Sequence, residues 1–319
     1  MTKKWHYAGL SLVLLAGLAA CNNAEDETDG DAEPDNETTT GTDEVEEGNG
    51  GFLWKIEHED TIAYLQGTIH VGREDFYPLN PQTEAAYEQA DVVLPEVDIV
   101  NADETELAEM MTPSTLPDDE TIADYISADH YAELEEILSA NGIPMEMFES
   151  FEPWFLENLL LAIGIQSSDL QDTHGVEEYF LSRAVEDGKE IRELETIEGQ
   201  FEMMSGFSID TQVQLLESAI DTFEEAADEL DAMGESWLEG DIEAMEAIWQ
   251  ELLDSDVDEE YTYELNDARN LDMSETIDEI LQENSGQTYF VFVGSMHLVA
   301  EPSIVSILEE KGYTVDFIY

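Results

Sequence analysis

Apolar positions in this chain follow two different periods. Near both ends they fall in short, nearly continuous runs closed by glycine or charged residues. Between the ends they recur three and four residues apart. The short runs predict buried strands and the wider spacing predicts amphipathic helices. Phe52–Ile56 and Thr61–Gln66 read as two strands with His58-Glu59-Asp60 at the turn. Pro81–Ala90 reads as a helix and Asp91–Val97 as a buried strand whose pairing ends at Pro95. In the middle, Leu134, Ile137 and Leu138 show helical spacing, as do Trp154, Phe155, Leu159, Leu160 and Ile163, and Gly142 and Gly164 punctuate the region. Gly175–Asp187 is expected to be helical and Lys189–Leu194 a short strand. Thr211–Leu230 and Ile242–Leu253 are expected to pair as helices joined around Gly234–Asp241. Two more helices, Tyr261–Asn270 and Ser274–Asn284, lead to the strand that begins at Tyr289. Helix Ile304–Lys311 and strand Tyr313–Ile318 close the chain.

One arrangement occurs twice. Ala63–His70 (AYLQGTIH) is an apolar strand that stops at Gly67 and delivers His70. Tyr289–Leu298 (YFVFVGSMHL) stops at Gly294 and delivers His297. Each histidine lies three residues after the glycine. Each copy is followed by a turn, a helix with a proline near its start, and another strand. The repeat predicts a mixed α/β (α+β) fold, with a central sheet built from two similar strand–GxxH–helix–strand halves. A large helical insertion, residues 103–254, lies between them. The two copies are expected to fold against each other and bring both imidazoles to one site.

The first 51 residues are of another kind. Lys3 and Lys4 precede the apolar run Ala8–Ala20, too short for a comfortable membrane span, so residues 1–20 read as a secretory signal. Small residues before the lone Cys21 resemble a bacterial lipoprotein signal, which implies lipidation of Cys21. Residues 21–51 then form an acidic tether, too poor in apolar groups to offset chain entropy, and the folded domain spans 52–319. This predicts a lipid-anchored protein facing outside the cytoplasm, on a bacterial membrane of the single-membrane type. With Cys21 the sole cysteine, no disulfide or thiol chemistry is available to the domain.

Composition changes the picture in one respect. Nine Lys+Arg against 79 Asp+Glu give a net charge of −70. Such a chain repels nucleic acid phosphates and anionic headgroups, so neither is expected as a direct ligand. Membrane contact is expected through the anchor only. A strongly hydrated acidic surface suits a saline or alkaline habitat, where screening weakens self-repulsion.

His6 lies in the leader, His58 in a polar turn, His130 near a helix start where solvation is expected, and His174 at a helix entry. His70 and His297 differ, because each follows a buried strand and a glycine. Singly, each is more often structural; as a matched pair they point to function. Two neutral imidazoles with carboxylates nearby suit a divalent metal, which could polarise a carbonyl and activate water. Glu96, after the strand residues Val92-Val93-Leu94-Pro95, could ligate the ion or act as general base. Arg269, one of few cations, could neutralise a substrate carboxylate, orient a ligating acid, or form a plain salt bridge. Gly67, Gly294 and the strand-end Glu195 are candidate substrate contacts. HExxH, GxSxG and phosphate-loop motifs are absent.

In order, Gly67-Thr68-Ile69-His70, Leu94-Pro95-Glu96-Val97-Asp98, Gly175-Val176-Glu177, Leu194-Glu195-Thr196 with Gln200, Trp237 with Gly240-Asp241, Arg269-Asn270, Gly294-Ser295-Met296-His297-Leu298 and Gly312-Tyr313-Thr314-Val315 resemble the TraB/PrgY/GumN family, which includes the Tiki proteins. The resemblance covers nearly all of 52–319. It implies that His70, Glu96 and His297 are active-site residues, with Arg269 and Asn270 beside them. It also implies a membrane-tethered metallopeptidase using Mn, Co or Zn on a peptide or protein substrate. Two departures stand out: Glu177 replaces the family's usual Asp, and Ala300 and Ser303 stand where glycines are usual. The alternatives are a surface lipoprotein that binds a peptide or ion without turnover, and an envelope factor with a degenerate site.

Overall fold

The computed structural model describes residues 50–102, 114–254 and 258–319. The expected leader, Cys21, nearly all of the expected acidic tether and the first residues of the expected helical insertion lie outside the described residues.

Strand β1 (Phe52–His58) turns through Glu59-Asp60 into β2 (Thr61–Thr68), pairing antiparallel from Phe52 opposite Gly67 to His58 opposite Thr61. Helix α1 (Pro81–Gln89) follows. Pro81 sits in its first turn and the Asn80 side chain accepts from the Gln82 N–H, so proline and cap start the helix together. It leads to β3 (Val92–Pro95). The middle contributes α2 (Ala128–Ala140), α3 (Pro153–Ser167), α4 (Val176–Asp187), β4 (Glu190–Ile191), α5 (Ile197–Gly206), α6 (Ile209–Asp221), α7 (Ala226–Leu238) and α8 (Ile242–Leu253). A short helix α9 (Glu259–Thr262), a π-helical stretch Tyr263–Ala268 and α10 (Arg269–Gln282) run on without interruption. Strand β5 (Thr288–Gly294), helices α11 (Ser295–Val299) and α12 (Ile304–Glu310) and strand β6 (Val315–Phe317) complete the chain.

The strands form one six-stranded mixed sheet in the order β4-β3-β5-β2-β1-β6. Strand β5 lies between β2 and β3 and is parallel to both. Phe290, Val291, Phe292 and Val293 are fully buried, as a strand covered on both faces requires. The register sets Gly67 opposite Val293 and Thr68 opposite Gly294. The two strand–glycine–histidine segments are therefore neighbours and end at the same edge of the sheet. That is the carboxyl edge, where open α/β sheets gather ligands.

Several boundaries differ from the sequence expectation. The expected helix 211–230 is two helices, parted at Thr222, whose hydroxyl bonds back to the Ser218 carbonyl. Gly234, expected in a linker, lies inside α7, because Leu170 packs so close that a Cβ there would sit 3.0 Å from its Cδ1. The expected helices 261–270 and 274–284 are one run, since nothing between Asn270 and Ser274 breaks a helix. Strand β4 is shorter than 189–194, yet Leu194 and Glu195 still donate backbone hydrogen bonds to Pro95 and Glu96. Gly50 and Gly51, expected in the tether, are buried. Their N–H groups bond to the Leu238 and Trp237 carbonyls, at positive φ and with no room for a side chain beside Trp237.

Candidate active site

The two glycines of the repeated segment do different things. A Cβ on Gly67 would meet Ser295 Oγ at 2.9 Å and Phe52 at 3.2 Å, so Gly67 is what lets β5's continuation approach. Ser295 Oγ uses that proximity to donate to the Thr68 carbonyl at 2.8 Å. Gly67 is buried under Ser295 and Trp237, whose indole N–H bonds to its carbonyl. It does not line the cavity that opens beside His70 and His297. Gly294 does line it. The point where a Cβ on Gly294 would stand is 3.7 Å from Glu96 Oε2, 3.9 Å from His70 Nε2 and 3.6 Å from His297 Cδ2. A side chain would fit there without collision, but in the space the three groups share.

Each histidine is held from behind. Gly175 starts α4 so close to His70 that a Cβ would be 2.4 Å from the His70 carbonyl. The Val176 N–H then bonds to the Ile69 carbonyl, and Glu177 is set 3.2 Å from His70 Nδ1. Thr68 Oγ1 also donates to Glu177. The longer Glu177, in place of the expected Asp, thus still reaches its partners. At the second segment, His297 Nδ1 lies 2.7 Å from Asn270 Oδ1. The Asn270 amide nitrogen donates to the Pro302 carbonyl, so Oδ1 faces the ring as acceptor and Nδ1 carries the proton. His297 Nε2 is left with its lone pair, 3.7 Å from Glu96 Oε2. That gap is too long for a hydrogen bond. A lone pair facing a carboxylate is electron-rich space that favours a cation.

Glu96 is 2% exposed at the end of β3. Its Oε1 receives Arg269 Nη2 and Gln200 Nε2, and its Oε2 receives the Gly294 N–H. Arg269 also grips Glu195, with Nε at 2.9 Å and Nη2 at 2.7 Å. Burial works against charge on Glu96, but the adjacent Arg269 outweighs it, with help from the two imidazoles, and holds the carboxyl at about 2. Burial likewise opposes the Arg269 charge, and Glu96 and Glu195 together keep it firmly protonated. Burial first, then Arg269, pushes His297 down to about 3, so its ring is neutral. His70 moves the other way: burial lowers it, but Glu177 more than compensates and lifts it to about 9.

The structure therefore brings His70, His297, Glu96, Glu195, Arg269, Asn270 and Gly294 together and leaves Gly67 beneath them. Arg269 is buried against two acids, and Asn270 holds a ring. Both come from the start of α10, immediately after the π-helical stretch, a form of wide turn that recurs at functional sites. His130, expected near a helix start and solvated, stands in the first turn of α2, part-exposed and set between Glu217 and Asp221. Ala300 is buried and Ser303 caps α12, so the residues standing in place of glycines serve the fold. Among the described residues no group of three or more His, Cys, Asp or Glu side chains is drawn together closely enough to hold a metal ion. The donor set fits one when His70 has given up its Nε2 proton, as metal binding requires: two imidazoles oriented from behind, as metal-binding histidines are, and a carboxylate oxygen face one space.

Spacing did not reveal Gln200 as a partner of both acids, nor the apolar wall beside the histidines. Gln200 was named only through the family resemblance, beside Leu194-Glu195-Thr196, and its contacts to Glu96 and Glu195 were not in the spacing.

The profile of the TraB/PrgY/gumN family matches residues 52–316. A protein of Shigella flexneri named "Uncharacterized protein YbaP" is 27% identical over 252 residues, covering 77% of this chain and 87% of the relative. Its namesake in Escherichia coli (strain K12) is 27% identical over 251 residues, with the same coverage. No solved structure matches the chain significantly.

Proposed function

The chain belongs to the TraB/PrgY/gumN family, and from that premise we propose that it is a divalent-metal-dependent hydrolase of peptides, carried outside the cytoplasm on a lipid at Cys21. One observation carries the reading. His70 Nε2, His297 Nε2 and Glu96 Oε2 all border the space beside Gly294, while Glu177 and Asn270 occupy the Nδ1 atoms behind. His70, His297 and Glu96 would hold the ion, Mn, Co or Zn. When bound it supplies Lewis acidity toward a carbonyl oxygen and toward water.

The chain's own residues set the rest. Glu96, kept ionised by Arg269, is a weak proton acceptor at neutral pH and is better suited to ligation than to general base work. Arg269 is committed to Glu96 and Glu195, so it acts on a substrate through Glu96 rather than by touching it. Asn270 fixes the His297 tautomer and Glu177 the His70 ring. The anchor reading rests on Lys3, Lys4, the apolar run and Cys21. Among the described residues no helix is long and apolar enough to cross a membrane.

The test is cleavage of a peptide library by full-length protein loaded with Mn, Co or Zn, read by mass spectrometry. Wild type should give products and the His70→Ala/His297→Ala double variant none. Products formed equally by that variant contradict the reading. A second reading, binding of a peptide or ion without turnover, draws on the distances that separate the donors. Bound peptide with no cleavage under any of the three ions selects it.

A further inference from the structure

The cavity beside His70, His297 and Gly294 has a volume of about 70 Å³. Much of its lining is apolar, from Ile69, Met233, Met245, Trp249, Leu265 and Met296. These come from β2's continuation, α7, α8, the π-helical stretch and α11. Three of the six are methionines, which reshape easily around an apolar guest. The charged groups on the lining are already matched: Arg269 lies against Glu96 and Glu195, and His70 against Glu177. No unbalanced positive charge awaits an acidic guest. Glu96, which borders the cavity beside Gly294, is already bonded to Arg269, and no Asp or Glu stands among the apolar lining residues to receive a basic one.

Two lining residues also carry a buried polar atom with no hydrogen-bond partner among the described residues. These are Trp249 Nε1, a donor, and Asn266 Oδ1, an acceptor. Buried polar atoms are rarely left unpaired without a reason. One donor and one acceptor match what a peptide backbone offers, a carbonyl oxygen and an N–H.

We infer that this wall is a side-chain subsite, taking an aliphatic side chain of a peptide whose backbone pairs with Trp249 Nε1 and Asn266 Oδ1. It excludes acidic and basic side chains at that position. The inference rests on the peptide reading above and specifies its substrate class.

The test reads binding rather than cleavage. Full-length protein labelled with ¹³C at the methionine methyls is titrated with N-acetyl amino acid N-methylamides of Leu, Asp and Lys. Met→Leu substitutions assign the Met233, Met245 and Met296 signals. The Leu probe should shift those three signals, and the Asp and Lys probes should leave them in place at equal concentration. Trp249→Phe, which keeps an aromatic side chain and removes the indole N–H, should bind the Leu probe roughly fivefold more weakly. No shift with the Leu probe, or equal shifts with all three probes, overturns the subsite. Equal affinity in folded Trp249→Phe removes the indole from it. If that variant does not fold, the discrimination among probes by wild type still decides. A protein that discriminates the probes but cleaves nothing refutes the hydrolase reading alone. One that cleaves without this discrimination refutes the subsite alone.

Discussion

Asn270 Oδ1 accepts a hydrogen bond from His297 Nδ1 at 2.7 Å, and this contact turns the ring's other nitrogen toward Glu96. The two residues are 27 positions apart, on α10 and α11, and both are nearly or fully buried. Asn270→Ala removes the restraint and should weaken divalent-metal binding roughly 10- to 100-fold. It should also cost about 1–3 kcal/mol of stability, because the Pro302 carbonyl loses its donor. Asn270→Asp keeps an acceptor and should lose less metal affinity. Isothermal titration with Mn checks both, and unchanged affinity in Asn270→Ala contradicts the assignment.

The two glycines of the repeated segment should respond in opposite ways. Gly67→Ala forces Ser295 and Phe52 apart and should destabilise by about 1–3 kcal/mol. Gly294→Ala meets only ordinary contacts, at a φ of −48° that alanine adopts freely. Its stability should stay within about 1 kcal/mol of wild type, while metal affinity falls roughly tenfold or more as the methyl enters the shared space. Denaturant unfolding and metal titration of the two variants separate these outcomes.

Arg269 is the counter-charge for two buried acids. Arg269→Met leaves both uncompensated and should cost about 3–5 kcal/mol. Adding Glu96→Gln and Glu195→Gln to it should restore part of the loss, since no unpaired charge remains. Unfolding midpoints of the single and triple variants measure this. A triple variant no more stable than the single one shows that packing, not charge, dominates there.

Acid stability should carry a contribution from Asp278, which ties α10 to the end of the chain. Lys311 bonds to it most strongly and Tyr313 next, and together they lower its carboxyl from 3.8 to about 2. A depressed carboxyl stabilises the fold above its unfolded value and loses that effect as pH falls from about 4 toward about 2. Allowing for solvent screening, the contribution is about 1 kcal/mol. The stability gap between wild type and Asp278→Asn should therefore close across that interval. Because the whole chain is so acidic, only the difference between the two proteins is informative.

Much of the site was legible because a strand, a glycine and a histidine three residues later occur twice. Parallel neighbours in a sheet end together, so the two histidines had one natural meeting place. Glu96 was legible as a carboxylate after a buried run. The reasons for the glycines were not, because Gly67 answers to Ser295 and Gly175 to the His70 backbone, contacts across long stretches of chain. Gly234 misled because glycine usually breaks a helix, whereas here it admits Leu170. The apolar wall was hidden for a similar reason. Met233, Met245 and Trp249 fall on helical stripes that cannot be told from ordinary core by spacing alone.

The central claim is that the His70 and His297 rings serve one divalent ion. Electron spin-echo envelope modulation of the Mn-loaded protein detects directly coordinated imidazole nitrogen, and carboxylates scattered over the acidic surface do not give that signal. Wild type should show two imidazoles on one tightly held ion, His70→Ala and His297→Ala one each, and the double variant none. A spectrum without imidazole nitrogen in wild type, or one unchanged in the double variant, contradicts the claim.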